Sequence, residues 1–550
     1  MESAIVTGIP GAGKTTRGMG ILTELQKAGV PLLSVGYATY TRAARREASQ
    51  RACDTFGVTL TDLEKRGWFR TIHSAVMKLL GVQKGELVTG DKDWFAKNLG
   101  APIETHSPED GEWAEQYHGE SDPAQALKQW DLARNRLVPI PQVYDEAMIF
   151  NPRMSIHYPR HLQFIEAYEE AKTRDGRSDF TDFLLRYSGW KCTPRWMGQT
   201  EPEGPVPNLV AWILDECQDT STLLDACARR LCSTARWTYL LGDPLQNIYQ
   251  WAGSDPGKFL GWPIKKKDFL HKSWRCSEAV LMRAMAFVRQ NHEFTSDLES
   301  LIIEPAKPGG DVSWCWADSW SSKVAADPAT RTLVMARTNK RANSLAAELT
   351  ARGVPWRNNR TGARFPNIAA SKLAAAFYEL EAGGVIDGDG WSRIVEIVPK
   401  ELLARGAKTK FKARSGHSDF VTLSGLAYDP EFGSTQALAD LIGAGKWRDL
   451  IGNTPEGREA IAALACQQKW GSLADDPQVI VSTIHATKGM EADRVYLDTK
   501  LSYPVQRQLT LPEGREVERR VWYVGMTRAK DHLCLIRPEQ DAYDEIFDYI

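Results

Sequence analysis

Short unbroken apolar runs alternate along the chain with stretches that carry helical spacing. The runs at Ile5–Thr7, Pro31–Thr39, Leu209–Leu214 and Trp237–Leu241 read as strands buried on both faces, as parallel strands are. A second set, Leu333–Ala336, Val479–Ser482, Val495–Leu497 and Leu533–Ile536, predicts a second parallel sheet. Helical patterns follow the first strand over Thr16–Lys27, begin again at Tyr40–Glu47, and recur at Ala369–Leu380 and Glu456–Lys469. Between about 84 and 155 the pattern loosens, acidic residues crowd Glu104–Asp122, and Pro139, Pro141, Pro152 and Pro159 punctuate, so an inserted subdomain is expected there. Ser178–Leu185 leads through a Pro/Gly-rich loop at 194–207 to the strand at Leu209.

Chemistry enters at the ends of these strands. Gly8, Pro10, Gly11, Ala12, Gly13, Lys14, Thr15 and Thr16 stand in the Gly-x-x-x-x-Gly-Lys-Thr spacing of a phosphate-binding loop, with a strand before it and a helix after. Glycines let successive backbone N–H groups close around phosphate oxygens, and the helix points its positive end at them. Lys14 can then reach the β- and γ-phosphates while the Thr15 hydroxyl ligates Mg²⁺. A chance glycine-rich turn is the alternative. The strand at Leu209–Leu214 ends in Asp215 and Glu216, placed to hold the metal and to polarise an attacking water, unless the pair merely caps a helix. After Trp237–Leu241, Gln246 sits where a strand-end amide can sense a γ-phosphate, and Tyr249 and Trp251 can stack on bases. Thr39 and Tyr40 close the second strand beside arginines, which suits a nucleic-acid strand or an Ala/Arg helix with a solvated face. A lone His73 is ordinarily structural.

Composition narrows the picture. At 550 residues, with 43% hydrophobic and 25% charged residues, the chain is expected to be a soluble multidomain protein. It has no apolar run of about 18 residues and no room before the phosphate loop for a signal peptide, so a cytoplasmic protein without a membrane partner is expected. Nine cysteines without a C-x-x-C pair fit reduced thiols rather than zinc or an iron–sulfur cluster. A net charge of −2 leaves any nucleic-acid partner to a local groove. Lys265–Lys267 and Lys400–Arg414 are phosphate-contact or simply solvated patches, and the 19 tryptophans are expected mainly in packing.

Taken in order, these motifs resemble those of superfamily 1 DNA helicases of the UvrD/Rep/PcrA type. The matching stretches are Gly8–Thr15, Ala38–Ala44, Thr71–Ser74, Asp215–Asp219, Gly242–Gly253, Ser273–Ser277, Leu333–Pro355, Val481–Glu491 and Glu518–Lys530. The resemblance implies an α/β fold of two RecA-like parallel-sheet motor domains, each with a mostly helical insertion. Residues 1–84 and 156–270 would form the first domain and 85–155 its insertion; 271–365 and 476–550 would form the second and 366–475 a reduced insertion. It implies ATP and Mg²⁺ as cofactors, with Thr15 and Asp215 holding the metal. Lys14, Glu216, Gln246, Arg275 and Arg528 would be catalytic, the two arginines reaching the γ-phosphate from the second domain. Glu491 would bind the ribose, Thr39, Tyr40, Thr71, His73, Tyr249, Trp251, Thr483 and His485 would face DNA, and Lys488 would lie toward the DNA or the coupling network. Alternating grip by Tyr40 and Trp251 would move a single strand, with 3′→5′ polarity.

Departures from the family qualify this. No glutamine motif precedes the phosphate loop, so selectivity for ATP is open, and Ala252 replaces an arginine that would contact DNA. The 365–475 insertion is small, and little chain follows Ile536 to form a strand-separating hairpin, which favours translocation over processive unwinding. The expected partners are single-stranded and partial-duplex DNA and replication or repair proteins; a monomer in a bacterial or phage-infected cell, associated with the nucleoid, is expected. The rivals are a DNA-stimulated translocase that remodels nucleoprotein with little unwinding, a polynucleotide or small-molecule kinase, and a remodelling protein with a dead motor.

Overall fold

The computed structural model describes residues 1–105, 116–119, 121–150, 156–289, 303–408, 421–428 and 434–538. Most of the acidic Glu104–Asp122 stretch and residues 409–414 of the second basic cluster lie outside them. Two parallel sheets dominate. The first runs in the order 266–270, 4–8, 237–242, 211–214, 35–39, 68–71, every neighbouring pair parallel. The apolar runs still alternate by face: Ala211 and Ile213 join Val6, Tyr37 and Leu241 on one side, while Trp212 and Leu214 join Ile5, Ala38 and Leu240 on the other. Helices cover both faces, which is why the runs carry no polar alternation.

The second sheet is ordered 311–316, 529–537, 492–498, 332–336, 479–483, 356–357, 364–365, parallel except for its last pair. Strand 266–270 at the edge of the first sheet passes through His271 into strand 272–277, which pairs with 304–307 in the second lobe. The lobes are in contact, for Ile9, Ala12, Leu245, Ile248 and Tyr249 of the first lie in one apolar cluster with Leu333, Val495, Trp522 and Tyr523 of the second. This is the two-sheet α/β architecture that the strand patterns predict.

Some elements were hidden in the sequence. Lys266 and Lys267 open the edge strand 266–270, where only one neighbour is needed and the lysines face solvent. Strand 311–316 is likewise an edge. The loop expected over 194–207 begins as a hairpin pairing 190–193 with 196–199. Six tryptophans, Trp130, Trp212, Trp320, Trp391, Trp447 and Trp522, are fully buried, in keeping with packing.

Each lobe carries a helical insertion with its own core. The first gathers Phe95, Leu127, Trp130, Ile165 and Tyr168, so helix 158–175 packs with it and the cluster extends past residue 155. The second gathers Phe377, Trp391, Ile394, Leu438 and Trp447. His161 is fully buried beside Tyr144 and Tyr158, and burial pulls its pKa down to about 4. Because the folded value lies below the unfolded one, the unfolded chain takes up the proton first, and stability present above about pH 6.5 is lost as pH falls toward 4. His161→Phe should remove about 3 kcal/mol of acid sensitivity between pH 7 and 4, read by denaturant unfolding at both. An unchanged pH slope would contradict the assignment.

Candidate active site

The phosphate loop links strand 4–8 to helix 14–27. Its cap, Gly13, is left-handed (φ 82°) and supplies no side chain, and no acid stands in the first turn, so the helix N–H groups remain available to an anion. At the loop apex Gly11 has φ 73°, and a Cβ there would lie 2.4 Å from the Arg275 Cβ. The close approach matters because it lets the second lobe bond to the loop: Trp274 N–H donates to Gly11 O (2.9 Å) and Ser273 Oγ to Pro10 O (2.8 Å). Lys14 Nζ donates to Gly8 O (3.0 Å) and Ile9 O (3.4 Å) and lies 4.0 Å from Asp243 Oδ2. Thr16 accepts from Arg51 Nη1 at 3.2 Å.

Thr15 Oγ1 donates to Asp215 Oδ2 at 3.0 Å, bringing the two expected metal ligands together. Tyr37 OH donates to the same oxygen at 2.8 Å, a contact that sequence reading missed because Tyr37 looked like one more strand residue. Burial, then the Glu216 charge, push the Asp215 carboxyl up to about 6, against the hydrogen bonds from Tyr37 and Thr15. A buried acid beside a hydroxyl, both hard oxygen donors, fits Mg²⁺. Glu216 stands in a left-handed turn (φ 59°) and accepts from Gln218 Nε2 at 2.5 Å. Burial would raise its carboxyl, but Lys488, Lys14 and that hydrogen bond hold it below its ordinary value, so it stays ionised.

Gln246 spans the lobes. Its Nε2 donates to Asp243 Oδ2 (2.6 Å), and its Oε1 accepts from Arg528 Nη2 (3.0 Å). Arg528 is 1% exposed and otherwise donates to Val524 O and Met490 O. Burial and the neighbouring Arg275 bring it down to about 9. Arg275 donates to Glu491 Oε2 at 2.9 Å, and Lys530 pairs with the other oxygen of Glu491. Lys488 crosses the same seam to Asp219 (2.6 and 2.5 Å) and to Gln246 O (2.9 Å), with its ammonium 4.8 Å from the Tyr249 ring centroid. Trp274, another residue that the sequence did not flag, is 64% exposed next to Arg275 at the mouth of the loop.

A cavity of about 1440 Å³ opens beside this seam. It is lined by Tyr249, Trp251, Thr483 and His485, together with Arg337 and residues 136–138 of the first insertion. Trp251 is 39% exposed, whereas Tyr249 is 2% exposed and packs edge-on to Trp251. The His485 ring lies 6.4 Å from both, and burial followed by Arg337 and Lys488 keeps it neutral.

The remaining strand-facing candidates lie elsewhere. Thr39 is buried and donates to Thr41 O, Thr71 caps helix 72–80 by accepting from Ser74 N–H, and His73 packs edge-on to Phe180 and Phe183. Tyr40, 2% exposed, stands edge-on to His73, so the expected alternation between Tyr40 and Trp251 is corrected: the Tyr40 ring is held in the core behind the strand ends and offers no free face. An apolar strand end reads alike whether its last ring points in or out, so the pattern alone did not separate the two.

Comparison with known proteins agrees with this geometry. The UvrD/REP helicase N-terminal domain matches residues 2–266, and the UvrD-like helicase C-terminal domain matches 450–540. A Bacillus subtilis protein described as putative ATP-dependent DNA helicase YjcD is 21% identical over 96% of this chain and 76% of its own length. A probable DNA helicase II homolog of Rickettsia conorii is 22% identical over 60% of each chain. DNA helicase II of Escherichia coli is 29% identical over 23% of this chain and 18% of its own. Among the described residues no helix is long and apolar enough to cross a membrane.

Proposed function

Because the chain belongs to the UvrD/Rep family of DNA helicases, we propose that it is an ATP-driven motor that moves along single-stranded DNA, and that the 1440 Å³ cavity holds the strand. One observation carries the reading. The segment that bonds to Arg528 through Gln246 also presents Trp251 to the cavity, five residues on, so nucleotide and polymer act on one short stretch of chain.

The γ-phosphate of ATP enters between Lys14 and the second lobe. Lys14 leaves the carbonyls of its own loop for the phosphate, and Arg275 and Arg528 move toward it from the other side. Glu216 takes a proton from the attacking water, with Gln218 and two lysine charges keeping it ionised beforehand. Thr15 and Asp215 would hold Mg²⁺, which when bound neutralises phosphate charge. Loss of phosphate returns Arg528 to Gln246, and the lobes reopen. Family likeness supports a ribose-binding role for the Glu491 carboxylate. Family likeness supports 3′→5′ movement and a site of action on bacterial DNA.

ATP turnover measured with and without oligodeoxythymidine tests the proposal: turnover rises with the strand. Indifference to DNA together with a phosphorylated product would mean a kinase instead. Duplexes with a 3′ or a 5′ tail then report polarity, and stimulated turnover without duplex loss would identify a translocase that does not unwind. Trp251→Ala should weaken strand binding by roughly 1–3 kcal/mol while leaving turnover without DNA near wild type. An equal fall in basal turnover would show that the ring serves the nucleotide site.

A further inference from the structure

The end of helix 122–136 in the first insertion reaches two segments of the motor. Asn135 Oδ1 accepts from Ser221 Oγ at 3.2 Å, while its Nδ2 donates back to Asp131 O at 3.0 Å and so fixes which way the amide points. Ser221 is fully buried, caps helix 222–232, and closes the turn that starts with Asp215 and Glu216. The same helix end presses on Gly253, two residues after Trp251: a Cβ there would meet the Asn135 Cβ at 3.3 Å and the Arg136 Cγ at 3.2 Å. Gly253 has φ 91°, so both its backbone and its missing side chain suit the contact.

Those two motor segments are also tied to each other. Ser221 and Ser254 form an isolated antiparallel bridge, Asp255 N–H donates to Thr220 O (3.1 Å), and Asn247 Nδ2 bonds both Ser254 Oγ (2.9 Å) and Gln218 O. Meanwhile the residues after Asn135, from Arg136 to Val138, line the cavity. The insertion itself is held to the first lobe by a buried ion cluster, in which Arg134 and Lys172 bond Asp179 (2.8 and 3.0 Å) and Lys172 bonds Asp182 (2.7 Å). A helix anchored that firmly at its side transmits displacement at its tip instead of absorbing it.

We propose that Asn135 is a positioning residue that passes occupancy of the strand cavity to the turn carrying Asp215 and Glu216. A strand lying against residues 136–138 and Trp251 fixes the helix tip, and the Asn135–Ser221 bond then fixes the far end of the Glu216 turn. Asn135 touches neither nucleotide nor cavity, so its loss removes coupling and leaves both sites standing. The inference rests on reading the chain as a DNA-stimulated ATPase.

The test uses the full chain and measures turnover without DNA, turnover at saturating oligodeoxythymidine, and strand affinity. Asn135→Ala should cut the stimulation ratio by about fivefold or more, leaving basal turnover and strand affinity at wild-type values. Asn135→Asp, which keeps an oxygen acceptor for Ser221 Oγ, should recover most of the ratio. Adding Ser221→Ala to Asn135→Ala should lower the ratio no further, since the Asn135–Ser221 bond is already gone, while loss of the cap to Leu224 N–H shows separately as lower thermal stability. An unchanged ratio in Asn135→Ala, a parallel fall in basal turnover, or no recovery in Asn135→Asp overturns the proposal. Wild-type turnover indifferent to DNA would instead remove the reading beneath it.

Discussion

Replacing Arg528 with alanine should lower ATP turnover by roughly 10³–10⁵-fold, the range for an arginine that stabilises charge in phosphoryl transfer. Its surroundings argue for this. The side chain is buried, yet its three bonded acceptors, Val524 O, Met490 O and the Gln246 amide, are all neutral, and a second cation, Arg275, stands beside it. A structural arginine buried this deeply would be matched by a carboxylate, as Arg337 is by Glu518 and Arg341 by Asp498. Arg528 is held ready for an anion that arrives from outside. Removing it takes away a desolvated charge, so thermal stability should hold while turnover collapses. Lysine should not restore the rate, because a single ammonium cannot offer phosphate oxygens the paired donors of a planar guanidinium. A loss below tenfold, or a melting temperature that falls in step with turnover, would return Arg528 to a packing role.

Lys14→Ala should cost on the order of 10²–10³ in turnover, as the loss of a donor aimed at developing phosphate charge does. Lys14 is also partnered by neutral carbonyls, with Asp243 at the edge of ion-pair distance, so the loop keeps its shape through Gly13, the Trp274–Gly11 bond and the Ser273–Pro10 bond. Strand affinity, set at the cavity on the other side of Gln246, should stay near wild type. Loss of both functions together would mean that Lys14 supports the fold instead.

How much of this the sequence carried depends on how local each signal was. The phosphate loop, the Asp215–Glu216 pair and the Gln246–Trp251 segment could be read because strand, turn and helix follow each other within a few residues. Both sheets could be read from apolar runs, but the edge strands 266–270 and 311–316 could not, since an edge strand tolerates polar residues. Contacts across long separations left no local trace: Tyr37 on Asp215, Trp274 at Gly11 and Asn135 on Ser221 join residues that no spacing rule relates. Tyr40 failed in another way. Its residue type was right for stacking, and only the fold decided that its ring turns inward.

The squeeze of a triphosphate between two lobes is the claim on which the motor depends, and a structure with ADP, Mg²⁺ and aluminium fluoride tests it most directly. In that state the Arg528 guanidinium should leave Gln246 Oε1, Arg275 should leave Glu491, and both should donate to the fluoride opposite Lys14. Finding both arginines still on Gln246 and Glu491, with the nucleotide held by the first lobe alone, would contradict it.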